Sequence, residues 1–292
     1  MRHPTEDLPF VSVVVPTLNR KKYLEACLKS LLDLDYPKSM LEIIVVDGGS
    51  SDGTGLMLME NFRNCKIIFE RRDGISFARN SGGEIARGEI IAFTDDDCVV
   101  DKNWLKNLMT AFKDETIAAA GGPNFLLHPD LFPTKFINSP TLGVFSLGNE
   151  KCSVEFLITA NFAIRTDLFK NIKFDVLFGR RQTSIYKWEE DVELCLRLIN
   201  LGYKLIYVPT AKVYHNISPV RIRLKYVIEK ELSGGLSHYM VERRYKSKIL
   251  ICVTSIRSLV VLTAVFYKRR SISSFCWLLK SIAMSIASIF LP

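Results

Sequence analysis

The sequence predicts an α/β fold built on a mostly parallel sheet with helices on both faces. Three observations lead there. Short, continuous apolar runs recur along the first third of the chain, at residues 11–15, 42–46 and 90–94. Runs of that length without polar alternation suit strands that are buried on both faces. Segments with apolar residues at helical spacing lie between them, and each run stops at turn formers or acids. Strand–helix alternation of this kind closes into a sheet covered on both sides.

Taken in order, residues 11–15 (VSVVV) form the first strand, stopped by Pro16 and the turn residues Thr17 and Asn19. Residues 21–32 place Leu24, Cys27, Leu28, Leu31 and Leu32 on one helical face. The second strand, 42–46, ends at Asp47 and the loop GGSSDGTG. A helix follows over 53–62 with Ser51 or Asp52 as its N-cap, then a short strand over 66–69. Residues 75–87 (ISFARNSGGEIAR) predict only a weak helix, because Gly82 and Gly83 interrupt it. The strand at 90–94 runs straight into Asp95-Asp96-Asp97.

Beyond it the sequence predicts a helix over 101–113, one small-residue strand in IAAAGGPNF and an irregular proline-containing stretch over 123–150. A strand over 159–165 and a helix over 188–201, opened by Glu189, Glu190 and Asp191, come next. Short strands at 203–208 and 212–215 complete the pattern. In open sheets of this class ligands sit at the carboxyl ends of the strands. Asp47 and Asp95–Asp97 all fall at such ends.

Charge and composition narrow the function. The 292 residues carry 39 Lys+Arg and 31 Asp+Glu, a net charge of +8. Residues 1–240 hold 30 of each sign, so the excess lies in 241–292, where nine basic residues face one acid, Glu242. A basic segment laced through Ile, Leu, Val and Phe suits an anionic membrane surface better than nucleic acid, which wants its basic patch on a polar surface. The seven scattered cysteines form no CxxC pair, which argues against a zinc site or a disulfide framework and suits a reducing cytosol. MRHPTEDLPF shows no apolar core of a secretory signal.

Three adjacent carboxylates at the end of a buried strand repel one another unless a cation sits among them. A hard divalent ion, completed by water and diphosphate oxygens, fits that arrangement; a solvated turn with an acidic cap to the next helix fits as well. The glycine-rich loop after Asp47 matches neither G-x-G-x-x-G nor the P-loop pattern, and a turn leading into a helix explains it. Acids at 189–191 complement a helix dipole whatever else they do. Their position after Tyr186-Lys-Trp188 also suits a sugar site, with an aromatic beside a base. His215 reads equally as a satisfied core histidine or as a ligand.

The order and spacing of these segments are more specific than any one of them. VSVVVPTLNR, EIIVVDGGSSDGT, ISFARNSGGEIARGEIIAFTDDD, TANFAIR and WEEDVELCLRLINLG together resemble family 2 glycosyltransferases of the GT-A fold, over residues 10–215. The resemblance implies inverting transfer of a sugar from a nucleotide-diphosphate donor. It implies that Pro16, Thr17, Asn19 and Asp47 line the nucleoside pocket and that Arg79 faces the base or diphosphate. Asp95 and Asp97 become the acids of a D-x-D element, with Asp96 between them in the donor site. Asp97, with Asp95 and His215, is expected to hold Mg²⁺ or Mn²⁺. Asp191 becomes the catalytic base supported by Glu190, and Asn161 and Trp188 lie on the acceptor side. Gly48-Gly49 after the strand-end Asp leave the base preference open, and the absence of Q-x-x-R-W favours a single transfer over polymerisation.

The tail adds an expectation of place. Residues 249–267 and, more weakly, 272–290 are apolar enough and long enough to span a membrane, with Arg257 and Lys280 as costly interruptions. Helices lying in the interface, or packing on the catalytic domain, are the other arrangements. The expected organisation is a catalytic domain over 1–240 and a membrane-associating segment over 241–292. The catalytic domain is expected on the cytoplasmic side of the cell membrane, acting on a lipid-linked or cell-surface glycan. Two other functions compete. A sugar-phosphate nucleotidyltransferase would want glycines in PTLNRKKY, and a non-catalytic sugar-binding protein would not need Asp95, Asp97 and Asp191 together.

Overall fold

The computed structural model describes residues 8–137, 142–181, 187–245 and 278–284. They form two compact units. The first comprises Met1–Leu127, Phe145–Val176 and Asp191–Asn216; the second comprises His128–Val144, Leu177–Glu190 and Ile217–Pro292.

The first unit is organised by an eight-stranded sheet. Its strands are β1 (Val11–Thr17), β2 (Leu41–Asp47), β3 (Lys66–Phe69), β4 (Ile90–Phe93), β6 (Ile117–Gly121), β8 (Cys152–Ser153), β9 (Phe162–Arg165) and β10 (Lys204–Tyr207). The order across the sheet is β3-β2-β1-β4-β9-β6-β10-β8. The half containing β3, β2, β1 and β4 is parallel throughout. β9 enters antiparallel to both β4 and β6, and β8 is antiparallel to β10. The parallel expectation therefore holds for the first half and gives way to a mixed sheet in the second. Three further strands, β5 (Cys98–Val100), β7 (Asn124–Leu126) and β11 (Val213–His215), make a small sheet in the order β5-β11-β7.

Side-chain alternation sends each strand's residues to two separate cores. Val11, Val13 and Val15 of β1 pack with Leu24, Cys27, Leu28 and Leu31 of α1 (Lys21–Leu32) and with Trp104, Leu105 and Leu108 of α4 (Trp104–Met109). Val14, Ile44, Val46 and Phe93 join the opposite core with Phe169 of α5 (Thr166–Ile172) and with Leu194 and Leu198 of α6 (Glu190–Asn200). Burial on both faces is why these strands read as unbroken apolar runs.

Several boundaries differ from the sequence reading, each for a physical reason. α3 (Ile75–Glu84) is an uninterrupted helix. Its glycines are there for close packing: a Cβ on Gly82 would stand 2.4 Å from Val14 Cγ1, and one on Gly83 would stand 2.1 Å from Phe169 Cε1. α2 (Thr54–Asn61) starts after Gly53, at φ +84°, and Asp52 caps it from outside by accepting from the Thr54 amide and hydroxyl. The expected strand IAAAGGPNF is two strands in two sheets. The chain crosses between them at Gly121-Gly122, where a Cβ on Gly122 would meet the Ala211 carbonyl oxygen at 2.1 Å. The helix expected over 101–113 shortens to α4, after the unforeseen strand β5.

The segment 159–165 divides likewise. Thr159–Asn161 is a 3₁₀ turn and only Phe162–Arg165 is strand. Asn161 is buried inside that turn. Its Oδ1 accepts from Trp104 Nε1 at 2.8 Å, and its Nδ2 donates to the Pro123 and Ala211 carbonyls at 3.0 and 2.7 Å. The side chain expected on the acceptor side thus ties α4, the start of β7 and the loop before β11 together.

The second unit is built around α7 (Leu224–Tyr245), which runs past residue 240, where the charge balance changes. Residues 278–284 are helical. Among the described residues no helix is long and apolar enough to cross a membrane. The segment 249–267 and most of 272–290, where spans were expected, lie outside the described residues.

Two stability measurements test this packing by chemical denaturation. Gly82→Ala is expected to cost about 1–3 kcal/mol through overpacking against Val14, whereas Gly55→Ala, with open space around its Cβ, gains about 0.5–1 kcal/mol. Equal effects would contradict the assignment. Asn161→Ala is expected to cost about 3 kcal/mol by orphaning three buried partners; an unchanged denaturation midpoint would show that the clamp is not structural.

Candidate functional site

The carboxyl ends of β1, β2 and β4 converge because the three strands are neighbours in parallel register. Thr17 pairs directly with Asp47, and Val14 with Phe93. The loops beyond β1 and β2 are then knitted to each other. Asn19, at φ +54°, donates its amide to Ser50 Oγ at 2.8 Å and accepts the Ser51 amide at 2.7 Å. Asparagine tolerates that left-handed conformation better than most residues. Asp47, 1% exposed, accepts the amides of Gly49 and Ser50 and the Ser50 hydroxyl through Oδ1. Pro16 is buried within β1. Of the four residues expected around a nucleoside, Asn19 and Asp47 shape the loop pair itself.

The acidic triplet follows β4. Asp95 is the most open of the three, with 28% of its side chain exposed, and it meets Arg79 Nη2 at 2.8 Å. Arg79 is buried, its guanidinium 5.6 Å from the Phe174 ring. Asp96 accepts from Thr17 Oγ1 at 2.8 Å and pairs with Arg20 at 3.1 Å. Asp97 pairs with the same guanidinium at 2.8 Å. Burial pushes the Asp96 carboxyl up to about 7; Arg20 opposes that shift and Asp97 adds to it. Burial alone would lower the Arg20 pKa, yet Asp96 and Asp97 outweigh it and raise it. Arg20 was not foreseen, although a cation directly after the first strand-end turn is a visible partner for an acidic cluster. Two guanidiniums thus stand against the three carboxylates.

His215 arrives through the small sheet. β11 runs antiparallel to β5 and sets His215 opposite Cys98, next to Asp97. His215 Nε2 lies 3.9 Å from Asp97 Oδ1, and one ligand atom from each of Asp97, Cys98 and His215 falls within 4.8 Å of the others. Ligands at about 2.1 Å from a divalent ion stand roughly 3–4 Å apart, so carboxylate and imidazole are spaced to share one. The Asp97 and Asp95 oxygens suit a hard ion. Burial pushes the Cys98 thiol well up, and a soft sulfur is the poorest match in the group for a hard ion.

The second acidic motif sits at the start of α6. Asp191 Oδ2 accepts the Thr159 amide at 3.4 Å, and Oδ1 accepts the Val192 amide at 2.9 Å. Thr94, which precedes Asp95, donates its hydroxyl to the Ala160 carbonyl at 2.9 Å. One short turn therefore holds both Asp191 and the base of the Asp95–Asp97 segment. Glu190 is buried. Glu189 does not belong to the helix: at φ +73° it precedes it, and its carboxylate pairs with His238 and Lys280 in the second unit. Trp188 lies in that unit too, its ring 5.0 Å from the Arg180 guanidinium and 5.3 Å from Lys230 Nζ. Tyr186 lies outside the described residues.

Comparison with known proteins agrees with this architecture. Glycosyltransferase AglE of Haloferax volcanii is 35% identical over 130 residues, covering 43% of this chain and 43% of that protein. The glucosyl-dolichyl phosphate glucuronosyltransferase of the same organism is 24% identical over 248 residues, covering 80% and 78% respectively. The chain thus spans less than half the length of the first relative and most of the second. The mannosyltransferase PcManGT from Pyrobaculum calidifontis, solved in complex with GDP-Man and Mn²⁺, superposes with a TM-score of 0.67 at 17% identity over 98% of this chain and 88% of that one. That likeness establishes a GT-A-like mixed α/β fold. The profile described as Glycosyl transferase family 2 matches residues 12–173, more than half of the sequence. The chain belongs to glycosyl transferase family 2.

Proposed function

We propose that the protein is an inverting glycosyltransferase that moves a sugar from a nucleotide-diphosphate sugar to an acceptor hydroxyl. The observation that carries this reading is the shared turn Thr159–Asn161, which fixes Asp191 and the Asp95–Asp97 segment within one rigid frame. A donor site and a proton acceptor held to the same support are what a single displacement requires, since reacting groups must be held in a near-attack geometry.

In this reading Asp47 and the loop pair around Asn19 and Ser50 meet the nucleoside. Asp97, Asp95 and His215 would hold Mg²⁺ or Mn²⁺, which when bound offsets negative charge on the leaving diphosphate. Arg79, fixed on Asp95, adds positive charge on that side. Asp191 takes the proton from the acceptor hydroxyl as its oxygen attacks the anomeric carbon from the face opposite the leaving group. One in-line displacement inverts the anomeric configuration. Both Asp191 oxygens accept backbone amides, which keeps the carboxylate oriented. Glu190 supports it from the preceding position.

The acceptor is proposed to be a lipid-linked or cell-surface glycan. The relative that acts on glucosyl-dolichyl phosphate supports a lipid-linked one. The basic, apolar segment 241–292 supports attachment to an anionic membrane surface, with the catalytic unit on the cytoplasmic side.

Two measurements check the assignments. Asp191→Asn is expected to abolish sugar transfer while leaving nucleotide affinity nearly intact, and near-normal turnover in that variant removes Asp191 as the base. By calorimetry with and without Mn²⁺, Asp97→Ala is expected to lose the metal-dependent part of donor binding. An unchanged affinity in both conditions would sink the metal assignment.

A further inference from the structure

Glu189 is the least explained residue beside the catalytic motif. It sits two positions before Asp191, its backbone is left-handed at φ +73°, and only 10% of its side chain is exposed. A bulky acid in that conformation persists only where its surroundings hold it. Here they do. Glu189 Oε1 meets Lys280 Nζ at 2.6 Å, and Oε2 meets His238 Nδ1 at 3.0 Å. The amide of Trp188 donates to Ser237 Oγ at 3.3 Å, so backbone and side chain of this turn are both fastened within the second unit.

The partner that comes from farthest away is Lys280. It belongs to the helical piece 278–284, in the segment that the sequence marks as a membrane-associating appendage. That piece is seated on α7. A Cβ on Gly235 would stand 2.5 Å from the Lys280 carbonyl oxygen and 2.6 Å from Ala283 Cβ, an approach only glycine permits. Tyr239 is fully buried one turn further on, with Leu236, Met240 and Met284 packed around it. Burial would push the Glu189 carboxyl up, but Lys280 and His238 outweigh that and hold it down to about 2. Glu242 stands 3.9 Å from His238 Nε2 on the same helix.

We propose that the C-terminal segment is a working part of the transferase, with Lys280 a positioning residue that locks Glu189 and thereby the turn presenting Glu190 and Asp191. The apolar tail in this view does more than locate the enzyme, because docking of 278–284 on α7 completes the support of the base. The inference rests on the assignment of Asp191 as that base.

The test uses the full-length chain and reads kcat, acceptor KM and donor affinity together. Lys280→Met is expected to lower kcat on the order of tenfold to a hundredfold, the cost of a misplaced catalytic group, with donor affinity unchanged. Lys280→Arg restores the rate. Glycine adopts the left-handed conformation unaided, so the Glu189→Gly background is expected to make the Lys280→Met change nearly silent. A parental kcat in Lys280→Met overturns the inference. So does a joint loss of kcat and donor affinity, or a loss that neither Lys280→Arg nor the Glu189→Gly background relieves. An active Asp191→Asn defeats the assignment of the base; an inactive Asp191→Asn beside a fully active Lys280→Met defeats the positioning role alone.

Discussion

The 3₁₀ turn Thr159–Asn161 is the constraint on which the rest of the first unit depends. Each of its three residues ties down a different piece of chain. Thr159 holds Asp191 by its amide, Ala160 receives the Thr94 hydroxyl, and Asn161 clamps Trp104, Pro123 and Ala211. The turn enters the sheet as β9, the strand that runs antiparallel between β4 and β6. Running β9 antiparallel to β4 is what delivers its N-terminal end to the same edge as the C-terminal end of β4. Strand direction thus explains why two acidic motifs nearly a hundred residues apart share one support.

Charge balance sets the second requirement. Three consecutive carboxylates, two of them buried, stay in place because Arg20 spans Asp96 and Asp97 while Arg79 holds Asp95. The spacing of Asp97 and His215 leaves the cluster suited to a divalent cation. The three acids are not equivalent. Asp96 is tied to Thr17 and Arg20, with its carboxyl raised by burial, whereas Asp95 is the most open of the three and Asp97 lies beside His215.

The strands and the strand-end acids were legible in the sequence because burial on both faces forces continuous apolar runs, and parallel connectivity forces acids at their ends toward one edge. What periodicity cannot carry is tertiary close packing. Gly82 and Gly83 look like helix breakers until Val14 and Phe169 are seen against them. Asn161 looks like a polar residue in a strand, yet its amide is spent on three buried partners. Glu189 looks like the first of three helix-capping acids, and only the distant Lys280 reveals that it faces elsewhere. Arg20 was visible in TLNR, but the fold was needed to show which acids it meets.

The sequence also set a neutral 1–240 against a basic tail, and Lys280 now links the two descriptions, since one of the nine tail cations is paired with Glu189, two residues before Asp191. We propose that the strand-end carboxylates form a metal-assisted donor site. It is tested most directly by thermal-shift measurement with UDP-, GDP- and dTDP-sugars, with Mn²⁺ and with chelator. The account predicts that at least one donor raises Tm with Mn²⁺ and loses most of that shift when the metal is chelated. No donor shifting Tm in either condition would contradict it.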